Sequence, residues 1–194
     1  MPFMCRRLVI AVILFSALTL VARAQEGPKN SVVLIIRHAE DADSGHGISP
    51  HGQERAEAYK NYFLNLNIDS KRLEPTVIFA ANDSKKSHRP RLTVAPFAKV
   101  AQLPIDTRFG NNQSSELAAE LHASDHGKVI LICWRHSKIP ALLRALGAKP
   151  KNFLPNGKWP DDVYNWVILL SFDQNGDLIP STSKRIDDQS MPGA

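Results

Sequence analysis

The chain has 194 residues, 43% hydrophobic and 22% charged, a globular composition with room for one core of ordinary size and not for two large ones. Its formal charge of +5 is uneven: Arg6, Arg7 and Arg23 fall within residues 1–24, which hold no acid, and the remainder carries 21 basic against 19 acidic residues. A body that close to neutral lacks a general electrostatic footprint for nucleic acid.

Residues 1–24 read as a signal peptide. Arg6 and Arg7 form a positive start, residues 8–21 are a nearly unbroken apolar run, and Ala22-Arg23-Ala24 is a small-x-small cleavage site. The run is about 14 residues, short of the roughly 20 that span a bilayer. The expectation is therefore export to the periplasm or medium, a mature chain starting at Gln25, and no membrane attachment after cleavage. Cys5 leaves with the signal, and Cys133, alone in an apolar run, reads as a small core residue.

Beyond the signal, strand and helix patterns alternate. Residues 31–36 (SVVLII) form a continuous apolar run, the mark of a strand buried on both faces. Ser49-Pro50 then reads as an N-cap and first helical position, with Ala56, Tyr59, Phe63 and Leu66 at helical spacing behind it. A second strand is predicted over 76–80 and a helix over 89–101. Leu117 and Leu121 mark a short helix, and 128–134 is a third buried strand. Ile139, Leu142, Leu143 and Leu146 form a helical stripe stopped by Gly147. A fourth strand is predicted over 163–172, then an Asn175-Gly176 turn into a last strand near 178–180. This predicts one domain over 25–185, a three-layer α/β/α sandwich with a mostly parallel central sheet, and a loose tail over 186–194.

Ligands in such folds bind beyond the carboxyl ends of the parallel strands. Arg37-His38 follows the first strand and Arg135-His136 the third, while the second runs into the basic loop 85–91. Arginine forks match phosphate oxygens, and a neutral imidazole can attack phosphorus. The basic loop has no interleaved aromatics for base stacking, so steering of small anions fits it better than nucleic acid.

At these residues the chain resembles the histidine phosphatase superfamily, the phosphoglycerate-mutase-like enzymes. Arg37-His38-Ala39-Glu40 is similar to its Arg-His-Gly signature, with Ala in the Gly place. Residues 48–56 (ISPHGQERA) resemble its L-T-x-x-G-x-x-Q-A helix start, Arg89-Pro90-Arg91-Leu92-Thr93 its R-A-x-Q-T segment, and His136 its second His. The resemblance implies a phosphoglycerate-mutase-like fold and an exported, metal-independent phosphomonoesterase. His38 would be the nucleophile, and Arg37, Arg89 and His136 would hold the phosphoryl group. It implies no cofactor and a phosphorylated small molecule or phosphoprotein as substrate.

Three points stay open at this level. The general acid is not evident; Glu116, after the polar loop 110–115, is one candidate, and the competing reading is a carboxylate favoured by the helix dipole. Arg135 stands where several members of the resembled family carry an acid. Glu40, Asp41, Asp43, His46 and His51 could suggest a metal site but miss the EF-hand template, which favours a solvated polar loop. The alternative function is a weak or inactive binder of phosphorylated envelope ligands that uses the same anion pocket. Residues 159–164 (WPDDVY) read as pocket wall or core.

Overall fold

The computed structural model describes residues 27–187. The predicted signal peptide and residues 188–194 lie outside the described residues.

In chain order the elements are β1 (Val32–Arg37), α1 (Pro50–Leu64), β2 (Asn67–Ile68), β3 (Lys71–Arg72), β4 (Val77–Ala80), α2 (Arg89–Ala101) and β5 (Ile105–Asp106). They continue with α3 (Ser114–Ala123), β6 (Val129–Trp134), α4 (Ile139–Ala145), β7 (Trp166–Ser171) and β8 (Lys184–Asp187). The main sheet has six strands in the order β5-β4-β6-β1-β7-β8. β1, β4, β5 and β6 run parallel, and β7 and β8 are antiparallel additions at one edge.

Strand alternation explains the layers. In β1, Val33 and Ile35 face one core while Leu34 and Ile36 face the other, and in β6 Ile130 and Ile132 oppose Leu131 and Cys133. Leu117 and Leu121 of α3 and the stripe of α4 fill the first core; Tyr59 and Phe63 of α1 and Val94 and Phe97 of α2 fill the second. Both central strands are covered on both faces, which is why they read as unbroken apolar runs. The Ser49 hydroxyl accepts from the Gly52 backbone N–H and starts α1 as predicted.

The chain departs from the prediction at the antiparallel edge. Leu178 makes only an isolated bridge to Phe172; the last strand is β8, paired with β7 from Trp166↔Asp187 to Leu169↔Lys184. Pro180 offers no N–H for continuing a ladder at the predicted place. Residues 186 and 187, expected in a loose tail, therefore belong to the sheet. β7 begins at Trp166, later than the predicted 163, because the Val163 carbonyl is taken by Arg37 and Trp159. The β2–β3 hairpin and β5, each strand two residues long, were not legible. The hairpin turn is Asp69-Ser70, both at positive φ without a glycine signal.

Candidate active site

β1 and β6 are hydrogen-bonded neighbours whose carboxyl ends deliver the two Arg-His pairs to one edge. Ladder bonding runs one residue past β1, where the His38 N–H donates to Trp134 O at 3.1 Å. His38 is thus fixed by backbone and is 2% exposed.

The partners define both imidazole tautomers. His38 Nδ1 lies 2.8 Å from the Ala39 carbonyl, which can only accept, so the proton sits on Nδ1 and the Nε2 lone pair is free. Burial, with the nearby positive charge of Arg37, pushes the His38 pKa from 6.5 down to about 4, so the ring is neutral at pH 7. His136 Nδ1 faces the Arg37 guanidinium at 3.2 Å, a pure donor, while its Nε2 faces Asp161 Oδ1 at 3.0 Å. It therefore accepts at Nδ1 and donates from Nε2. Burial and Arg37 also lower its pKa. The two rings stand edge to face, centroids 5.7 Å apart.

Arg37 is 2% exposed. One terminal nitrogen donates to the carbonyls of Pro160, Asp161 and Val163 at 3.1, 2.8 and 3.0 Å. Its guanidinium carbon lies 3.7 Å from the Tyr164 ring centroid, a cation–π contact. No carboxylate pairs with it among the described residues, and its Nε is buried without a hydrogen-bond partner. Desolvation lowers its pKa. A buried cation held by carbonyls, an imidazole and an aromatic face, with no carboxylate partner and an unused donor, is poised for an anion.

Arg89, at the start of α2, donates from Nε to Gly47 O at 3.2 Å and pairs with Asp41 Oδ2 at 3.2 Å. Asp41 Oδ1 in turn lies 3.4 Å from His38 Nδ1. The fully buried Thr93 joins the two segments: its hydroxyl accepts from Ala39 N–H and donates to Arg89 O, both at 2.8 Å. Arg91 points elsewhere, binding Asp83 through two nitrogens at 2.8 and 2.7 Å.

Arg37, His38, Arg89 and His136 are thus joined in one cluster. Glu116 is not: it is exposed in the first turn of α3 and takes no part in the bonds around His38. Arg135 is exposed, its backbone N–H bonded to Asn111 Oδ1. Asp41 enters the site through Arg89, while Asp43, His46 and His51 form no shared centre with it; among the described residues no group of three such side chains is placed to hold a metal.

Sequence reasoning missed a supporting layer. Arg55, 1% exposed on α1, grips Glu40 with Nε 3.0 Å from each carboxylate oxygen. Burial favours the neutral Glu40, but the bonds and charge of Arg55 outweigh it and hold the carboxyl below its usual range. Tyr164 lies between Arg37 and Arg55, which is 5.6 Å from its ring centroid. An Arg at a core-facing helix position was the available signal. Asp161 was visible only as part of a presumed wall segment.

The parallel core with two antiparallel edge strands has the phosphoglycerate-mutase-like fold. A phosphoserine phosphatase from Entamoeba histolytica, solved with 3-phosphoglyceric acid, matches with a TM-score of 0.54 at 12% identity, over 83% of this chain and 98% of that one. The protein histidine phosphatase SixA, solved with tungstate, matches with a TM-score of 0.50 at 13% identity, over 76% of this chain and 92% of that one. A mutant of the Entamoeba histolytica enzyme, solved with phosphoserine, matches with a TM-score of 0.50 at 10% identity, over 78% and 98% of the two chains. At these identities the likeness is one of fold. No protein-family model and no curated protein matches the chain.

Proposed function

We propose that this protein is a phosphatase that works through a phosphohistidine at His38. The observation that carries the reading is the buried, carboxylate-free Arg37 beside a neutral His38 whose Nε2 lone pair is free. His38 Nε2 attacks phosphorus in line, the bond to the leaving oxygen breaks, and water then displaces the phosphoryl group from nitrogen. Arg37, Arg89 and the Nε2–H of His136 face the three phosphoryl oxygens. In the free protein, carboxylates hold two of those places: Asp41 on Arg89 and Asp161 on His136. Both are solvent-accessible, with side chains 48% and 93% exposed, so an incoming phosphoryl group displaces them at small cost. Among the described residues they are the carboxyl groups bonded to the cluster, so proton delivery falls to Asp41 or Asp161 and not to Glu116. The named neighbours act on or bind phosphorylated ligands or a tungstate oxyanion, which supports a phosphorylated substrate here.

The reading extends to export. The basic start, short apolar run and Ala22-Arg23-Ala24 site support cleavage before Gln25, checked by the intact mass of protein from the periplasm or medium.

The test of the activity is phosphoryl trapping. Radiolabelled phosphate from a chromogenic monoester should label the wild type in acid-labile, base-stable form, and His38→Ala should abolish label and turnover while keeping the native circular dichroism. Full activity in His38→Ala would refute the mechanism. Binding of phosphorylated ligands without label or turnover would favour the inactive-binder alternative.

A further inference from the structure

A groove of about 1250 Å³ runs along α4 from Ser137 and Lys158 to Ala148 and Asp177, and no residue of the His38 cluster lines it. Its lining meets the site's chain segments at two points: Ser137 follows His136, and Lys158 comes shortly before Asp161. Arg144, Lys149, Lys151 and Lys158 line it against one acid, Asp177. All four cations are exposed, and none has an ion pair or side-chain hydrogen bond with a described residue. Like charges gathered on one concave face repel each other unless an anion lies among them.

The cationic shelf is anchored to the core. It is built on two 3₁₀ turns, Pro150–Asn152 and Pro155–Gly157, with Phe153, Leu154 and Trp159 buried between and behind them. Arg185 of β8 donates to the Phe153 carbonyl at 3.0 Å, tying the shelf to the sheet edge. The Trp159 indole N–H donates to Val163 O, the same carbonyl that receives Arg37. The groove exceeds the roughly 300–1,000 Å³ of small-molecule pockets. It has no aromatic lining on which bases could stack.

We propose that this groove is a subsite for the chain of a linear condensed phosphate, held so that its terminal phosphoryl group reaches His38. The proposal rests on the phosphatase reading and names its substrate class. The His38 Nε2–P bond forms as the terminal P–O–P link breaks. The leaving oxygen belongs to the next phosphate and departs as a stabilised anion, so no strong acid is required at that step. Water then cleaves the P–N bond and releases orthophosphate, with its surplus proton passing to solvent.

The test uses the full chain and short linear polyphosphate as the probe, with binding read by calorimetry and orthophosphate release read separately. Four phosphate contacts should give log K against log salt a slope of about −3, using about 0.7 per contact as for single strands. The pair Lys149→Glu with Lys151→Glu should bind polyphosphate about tenfold or more weakly and lose turnover of it in proportion, while p-nitrophenyl phosphate hydrolysis stays within about twofold. The charge-matched pair Lys71→Glu with Lys128→Glu should behave as wild type. Unchanged binding in the groove variant, equal loss in the control pair, or equally tight binding of poly-glutamate would overturn the subsite. Turnover of p-nitrophenyl phosphate but not polyphosphate would overturn the substrate assignment alone. Inactivity toward both would overturn the phosphatase reading and the assignment with it.

Discussion

Burial keeps the His38 imidazole neutral. In the unfolded chain its pKa is near 6.5, whereas in the fold it is about 4, so at pH 5 the unfolded state binds a proton that the folded state refuses. Its contribution to stability is therefore complete above about pH 6.5, falls as the pH drops toward 4, and levels off below that. The full effect is on the order of 3 kcal/mol. In NMR titrations the His38 ring signal, assigned by its loss in His38→Ala, should stay at its neutral position from pH 8 to 5; a midpoint near 6.5 would contradict the tautomer and pKa reading. The two arginines of α2 separate equally clearly. Arg89→Ala removes a cation joined through Asp41 to His38, whereas Arg91→Ala removes an exposed partner of Asp83. The first should cost about 10²–10³ in kcat/KM, the scale of one lost oxyanion donor. The second should cost only a few-fold and should fade with salt. Equal losses would reassign the segment. The histidines and arginines were legible because they stand directly after apolar runs or at a helix start. Asp41 and Asp161 were not, because their roles depend on loop paths that bring residues 120 apart in sequence to one cluster.

Among the elements, α1 sets the floor of the site through its first turn. Gly52 lies against the Glu40 backbone: a Cβ there would stand 2.8 Å from the carbonyl oxygen and 3.0 Å from the nitrogen. Ser49 N–H donates to that same carbonyl at 2.8 Å, so neither segment can withdraw without losing a bond. Gly52→Ala should lower stability by about 1–3 kcal/mol, the usual cost of overpacking. For a domain of this size that is a fall of several degrees, at about 2–4 °C per kcal/mol. Gly47→Ala is the comparison, since its nearest neighbour is a Leu92 methyl carbon at 3.9 Å. Thermal unfolding of the two variants reads the difference, and equal midpoints would remove the close approach as the reason for glycine at 52. The parallel core was legible because buried strands write themselves as apolar runs and buried helix faces as stripes. The edge was not. β8 reads Lys-Arg-Ile-Asp, a charged strand that suits a sheet edge and carries no apolar run. Arg185 lies over the Trp166 ring at 4.0 Å, a cation–π contact beside the ladder that composition does not advertise.

At the scale of the whole molecule, the chain has little excess charge beyond residue 24, yet Arg37 and Arg89 meet two histidines at one sheet edge. Phosphoryl transfer requires positive charge around three equatorial oxygens and an in-line nucleophile. In the proposed mechanism Arg37, Arg89 and the donor face of His136 would supply the charge from three segments that the parallel sheet brings to one edge, and His38 would supply the attack. A divalent cation in the same place would compete for the His38 Nε2 lone pair and would meet the buried guanidinium of Arg37 as a like charge. Activity should therefore persist after exhaustive dialysis against EDTA, and added magnesium or zinc should not raise it. Vanadate, which takes a trigonal-bipyramidal form around an attacking imidazole, should inhibit competitively, and less so in Arg89→Ala. Loss of activity on chelation, restored by metal, would reject the histidine mechanism and move attention to the Asp41, Asp43, His46 and His51 loop.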